Sequence, residues 1–259
     1  MKNLTKSFGF IVYFIVMQCL VSIGYVFYKM IFDTEWSDQV YTLVSTGKMF
    51  SKEYLTLVSQ AVIPMLILAD IILMIPMFIY AYKKHIKLYQ KVSALNTLKL
   101  ISLGLILNFI VTIVVDNLPK SLTTSQYDQL ISMILTDSFL LTFLSSAILA
   151  PVIEELIFRF GICGLIYKDN EKKAIFISAL MFGIAHFNLI QSTYAFILGL
   201  ILAYVYVKSK NLLTSTILHI TINGSSILYE YFNHTAVLVI GITIIMGTLI
   251  YYKNRRDLL

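Results

Sequence analysis

Charge is scarce in this chain: Asp, Glu, Lys and Arg make up 13% of its 259 residues, whereas 58% are hydrophobic. That balance excludes an ordinary water-soluble domain. Cysteine is scarcer still. Cys19 and Cys163 both fall inside apolar runs and no CxxC spacing exists, which excludes a disulfide framework and a thiolate metal site. The chain also lacks a Gly-rich phosphate loop, an internal repeat and a low-complexity tract. Its longest connections, Phe32 to Glu53 and Asp116 to Asp137, leave no room for a separate soluble domain. Lys2 and Lys6 before the first apolar run resemble the start of a signal peptide, but the run is too long and no small-x-small cleavage site follows, so it reads as a span.

What is present is a succession of apolar runs of about 17 to 25 residues, the length that crosses a bilayer. The expected fold is all-α: a polytopic membrane helix bundle with about eight transmembrane helices, forming one integral membrane domain over 1–259. The spans are read as Phe8 to Tyr28, Tyr54 to Tyr82, Val92 to Val115, Ser138 to Tyr167, Ala174 to Ile190, Thr193 to Val207, Leu212 to Phe232 and Thr235 to Tyr252. Basic residues are retained on the cytoplasmic side of short loops. Alternation places fifteen Lys and Arg inside and only Lys29, Lys48, Lys52 and Lys120 outside, with Arg159 buried. Both termini are therefore expected in the cytoplasm. The net charge of +6 reports this topology, and contact with the lipid bilayer, rather than nucleic-acid binding.

Against that background the ionisable residues inside the spans stand out, because burying them in a bilayer is costly. Glu154, Glu155 and Arg159 interrupt the fourth span, His186 the fifth, and His219 and Asn223 the seventh. Counting from the flanking lysines, Glu154 lies about 21 Å deep, His186 and Asn223 about 20 Å, and His219 about 14 Å, at 1.5 Å rise per residue. Polar groups from separate helices thus reach nearly one level, as a shared intramembrane site requires.

Residues four apart share a helix face, whereas adjacent ones diverge. Glu155 and Arg159 are such a pair and are expected to neutralise each other as an internal salt bridge. Glu154 is left without a partner on its own helix, so it must hold a proton or find a histidine on another; either state suits a general base. Pro151 removes a backbone hydrogen bond beside it and is expected to kink or break the span. His219 and Asn223 project the same way and can donate two hydrogen bonds to one oxygen. Phe182 stands four before His186, where its ring can hold the imidazole by packing. Taken singly, buried histidines and asparagines more often join helices than catalyse; taken as a set at one depth, they read as a site.

The order Glu-Glu-x-x-x-Arg, Phe-x-x-x-His, His-x-x-x-Asn resembles the CPBP family of intramembrane proteases, which includes CAAX prenyl endopeptidases of the Rce1 type and bacterial proteins tied to bacteriocin processing and immunity. The resemblance covers about 140–232, the expected catalytic core. It implies that Glu154 and His186 activate a water that attacks a peptide carbonyl, that His219 and Asn223 stabilise the oxyanion, and that Glu155, Arg159 and Phe182 support them. One glutamate and two histidines also suit zinc, but no HExxH pair is present and the resemblance implies a glutamate-type mechanism with no metal and no cofactor. The expected function is an intramembrane endopeptidase acting on a membrane-anchored or amphipathic peptide. The alternative is a non-proteolytic scaffold or bacteriocin-immunity protein using the same cavity; a transporter is disfavoured by the absence of paired broken segments. The resemblance and the Lys- and Ile-rich composition point to a bacterial cell membrane. Asp70, between Pro64 and Pro76, is expected to line the cavity or pair with a helix end, without a catalytic role; His85 on a lysine-rich inner loop and His234 on an outer turn are expected to be solvated.

Overall fold

The computed structural model describes residues 2–49, 51–118, 135, 138–164 and 170–256, and these are helical apart from turns and short connections. Apolar sequence becomes helix in a bilayer because each N–H and C=O must be satisfied within its own segment. In chain order the helices are α1 (Lys2–Phe32), α2 (Thr34–Ser45), α3 (Lys52–Lys83), α4 (Ala94–Asp116), α5 (Phe139–Cys163), α6 (Glu171–Ile184), α7 (Leu189–Ser209), α8 (Leu212–Tyr231) and α9 (His234–Arg256). Short polar side chains start most of them: Asp33, Ser51, Ser93, Ser138, Asn170, Asn188 and Asn211 each accept from a backbone N–H of the first turn.

Among the described residues, six helices, α1, α3, α4, α5, α7 and α9, are long and apolar enough to cross a membrane. The two others expected to span differ for separate reasons. α6 has 14 residues, about 21 Å, short of a bilayer core of about 30 Å. The expected fifth span, Ala174 to Ile190, stops at Ile184, and α7 begins at Leu189 rather than Thr193. The break is local chemistry: Phe187 takes a left-handed φ of 52°, and Asn188 Oδ1 accepts from the N–H groups of Ile190 and Gln191 at 3.1 Å each. α8 is long enough but too polar to count by apolarity. It packs against α4, α5, α7 and α9 rather than lying outermost, so it needs no lipid-compatible surface.

A further difference lies in Phe32 to Glu53, expected as a connection. It holds α2, capped by Asp33 and anchored by Trp36, whose buried indole donates to Leu57 O of α3 at 3.0 Å. The fourth span beyond Gly164, Lys120 and Lys168 lie outside the described residues.

α5 runs through the middle of the bundle. Leu156, Ile157, Phe158 and Ile162 from it form a core with Leu73 and Met77 of α3, Phe182 of α6, Leu202 of α7 and Leu218 and Ile222 of α8. On the outside, apolar side chains such as Val12, Leu20 and Ile23 of α1 and Val239, Ile240 and Ile242 of α9 point away from the protein, as lipid requires. Two glycines permit close approach around the core. A Cβ at Gly104 of α4 would sit 2.8 Å from the Thr221 side chain of α8, and one at Gly183 would sit 2.8 Å from Ser192 O of α7. The start of α8 is held from below: Asn211 accepts from Gln90 N and donates to Gln90 O, and Leu212 N donates to Leu88 O.

Candidate functional site

Glu154 sits where α5 changes its hydrogen-bond register twice. Phe143–Leu149 is π-helical, Ala150–Glu154 is α-helical, and Glu155–Cys163 is π-helical again. Such wide turns are rare and gather at functional sites. The first has a readable cause. Ala150 N–H donates five residues back to Ser145 O, and the same register would bring the next N–H to Ser146 O. The next residue is Pro151, which has none. Ser146 O takes its hydrogen bond instead from Asn223 Nδ2 of α8, at 3.1 Å. The proline expected to disturb this span thus frees a carbonyl, and an asparagine of the third motif occupies it.

One side of α5 is dry. Glu155 and Arg159 are both 0% exposed, with Arg159 Nε 3.3 Å from Glu155 Oε1, the pair expected from their spacing. Arg159 NH1 donates to Ser178 Oγ at 3.2 Å, and that hydroxyl donates to Phe158 O at 2.6 Å. The guanidinium carbon lies 4.7 Å from the centre of the Phe182 ring, a cation–π contact. Phe182 also meets both histidines edge to face, His186 at 4.9 Å and His219 at 5.5 Å between ring centres. It therefore packs against Arg159 and two imidazoles at once.

The other side faces a cavity of about 300 Å³ lined by Glu154, His186, His219 and Asn223, together with Asp70, Gln18, Ser145, Ser146 and Gln191 among others. His219 connects the two sides. Its Nδ1 is 3.0 Å from Glu155 Oε1, and its Nε2 is 3.5 Å from Glu154 Oε2. With Nδ1–H donated to Glu155, one proton between Nε2 and Glu154 satisfies both groups. The histidine in contact with Glu154 in this structure is thus His219, whereas His186 lines the same cavity.

His186 is not within a span but in the turn after α6. Its Nδ1 is 2.8 Å from Phe182 O. A carbonyl only accepts, so Nδ1 carries the proton; in the neutral imidazole Nε2 is then a free acceptor. The contact also satisfies one of the last carbonyls of α6.

All four residues expected to be catalytic therefore line one cavity, and the three supporting residues pack behind or beside it. Asp70 does line the cavity. His85 and His234 do not; both are exposed. Among the described residues, no three His, Cys, Asp or Glu side chains converge in metal-binding geometry. Two contributors are absent from the expected set. Ser178 stands four residues before Phe182 on one helix face, and that spacing is a usable signal. The participation of Ser146 through its carbonyl has none.

Carboxyl, imidazole and amide groups gathered in a cavity inside an apolar bundle mark the class: an integral multi-pass membrane protein with polar and ionisable groups gathered inside its bundle. Residues 136–225, which are 90 of the chain's 259, match the family described as Type II CAAX prenyl endopeptidase Rce1-like. The resemblance carried by the three motifs holds over that segment, which includes all seven expected site residues, and the family is one of membrane proteases. No curated protein and no solved structure matches the chain.

Proposed function

We propose that this protein is a glutamate-type intramembrane endopeptidase that hydrolyses a peptide bond in a membrane-anchored or amphipathic peptide. The observation that carries the reading is the convergence of Glu154, His186, His219 and Asn223 from three separate parts of the fold on one cavity. Glu154 and the free Nε2 of His186 both line that cavity as acceptors for a water molecule. As the water oxygen bonds to the carbonyl carbon, its proton passes to Glu154. The carbonyl oxygen becomes an oxyanion that accepts from His219 Nε2–H and from the second amide hydrogen of Asn223, the first being held by Ser146 O. The tetrahedral species then breaks its C–N bond, and the departing amine takes the proton from Glu154. Glu155 and Arg159 keep His219 in its orientation and do not touch the substrate.

A topology is proposed with it: α6 extended by its flanking turns, together with α8, completes eight passes with the six apolar helices, both termini face the cytoplasm, 1–259 is one membrane domain and about 140–232 is its catalytic core. The bacterial cell membrane is the proposed location. The substrate is a peptide held at the bilayer, and no metal or cofactor takes part; chelator should leave the activity unchanged, and loss restored by zinc would replace this mechanism with a metal-assisted one. The decisive test compares small membrane-associated peptides, by mass spectrometry, in cells carrying the native chain and Glu154→Gln. The expected result is a precursor that accumulates only with the variant at equal protein abundance. Full complementation by Glu154→Gln would assign the cavity to a scaffold or immunity function instead.

A further inference from the structure

We propose that Asp70 is an anionic subsite of this cavity, taking an ammonium or guanidinium group of the substrate; the proposal rests on the proteolytic reading above. Asp70 comes from α3, well before the segment that matches the protease family, and is only 4% exposed, yet it lines the same cavity as Glu154. Its carboxyl makes no hydrogen bond or ion pair with any described residue. Burying such a group without a partner opposes folding, so a charge supplied from outside the protein is the economical reason for its position.

The surrounding charges say which ligand fits. Among the described residues, no lysine or arginine lines the cavity. The nearby cation, Arg159, is committed to Glu155 on the dry side of α5. Glu154 has His219 beside it, so Asp70 is not needed as its partner, and two carboxyls lining one low-dielectric cavity repel each other when both are ionised. A positive group entering the cavity relieves that repulsion and gives Asp70 its missing partner. An anionic or purely aliphatic side chain does neither. The size of the cavity suits an extended segment a few atoms wide rather than an intact helix. The inference is therefore a substrate carrying lysine, arginine or a free amino group close to the scissile bond.

The test uses the full-length protein in detergent and internally quenched apolar peptides, each carrying lysine, norleucine or glutamine at one position. One position should show a lysine-to-norleucine ratio in kcat/KM of at least about tenfold, the worth of one charge-assisted hydrogen bond. That ratio should fall to about one in Asp70→Asn and persist in Asp70→Glu. A ratio that survives Asp70→Asn, or equal loss on lysine and norleucine peptides, would overturn the subsite and make Asp70 part of the reaction or of the fold. Binding separates this from proteolysis. Glu154→Gln protein should be labelled by a photoreactive lysine peptide and protected by n-octylammonium but not by n-octanol. Protection that is equal for amine and alcohol counts against Asp70 whether or not any peptide is cut. Amine-selective protection in a protein that cuts nothing retains the subsite and rejects the protease. The competition needs no variant at Asp70, so it stands even where Asp70→Asn does not fold.

Discussion

Glu154 and Glu155 are neighbours in the chain and opposites in the structure. Glu155 is fully buried against Arg159 and His219, whereas Glu154 retains 19% side-chain exposure at a cavity wall. A helix sends adjacent side chains about 100° apart, so one dipeptide serves two environments. A buried charge can thus be retained either by being answered inside the protein or by being left for chemistry. The sharpest way to break the comparison is to unbalance the answered side. Arg159→Ala leaves Glu155 buried without its guanidinium, with only the His219 contact remaining, and about 3 kcal/mol of stability should be lost, seen as low protein abundance and early thermal unfolding. Glu155→Leu combined with Arg159→Met should be more stable than either single variant, because no lone charge remains. Its activity should stay low, since His219 Nδ1 loses its acceptor. A double variant no better than the singles would mean that the pair acts by shape, not charge.

The cavity side should respond in the reverse sense. Glu154→Gln keeps size and hydrogen-bonding capacity while removing the base, so kcat should fall by about 10²–10⁴, with Tm within about 2 °C of the native value. Together with the Arg159 result this makes a crossed pattern, and stability loss in both variants would erase the distinction. Asn223 lies between the extremes because it serves both backbone and reaction. Asn223→Ala should lower kcat by about 10² through the lost oxyanion donor and cost about 1–3 kcal/mol through the orphaned Ser146 carbonyl. Adding Pro151→Ala supplies a backbone N–H near that carbonyl, and should recover stability but not activity. Recovery of both would show that Asn223 works only by holding α5.

Part of this arrangement is legible in the amino-acid sequence and part is not, for physical reasons. The spacing of Glu155 and Arg159, and of His219 and Asn223, is enough to put each pair on one face, because neighbouring turns of a helix bring such residues together whatever surrounds them. The spans of α1, α3, α4, α5, α7 and α9 follow from length and apolarity. The turn holding His186 does not, because Phe187 and Leu189 are apolar and continue the run; what stops the helix is the side chain of Asn188, one polar residue in an apolar stretch. α8 reads as a span by length although apolarity alone would not choose it. Its polar residues are tolerated because protein surrounds them. The π-helical register of α5 is beyond reach although Pro151 is in plain view, because the partner that fills the freed Ser146 carbonyl, Asn223, lies seventy-seven residues further along the chain. The place of Asp70 on the same cavity as Glu154 likewise exists only once α3 packs against α5.

The smallest expected effect completes the comparison, because it concerns an ion pair of nearly the same length. Lys208 Nζ lies 3.1 Å from Glu171 Oε2, slightly closer than Arg159 Nε to Glu155 Oε1 at 3.3 Å, but these side chains are 56% and 45% exposed rather than 0%. Water already solvates both charges, long side chains lose freedom on pairing, and salt screens what remains. Lys208→Ala should therefore change stability by about 0.5 kcal/mol or less and leave peptide cleavage unaltered. Thermal unfolding at low and high salt measures this directly, as the native and variant curves should converge when salt is raised. A loss approaching that of Arg159→Ala would show that separation rather than burial ranks these pairs, and would remove the ground for treating Glu155 and Glu154 as different kinds of buried acid.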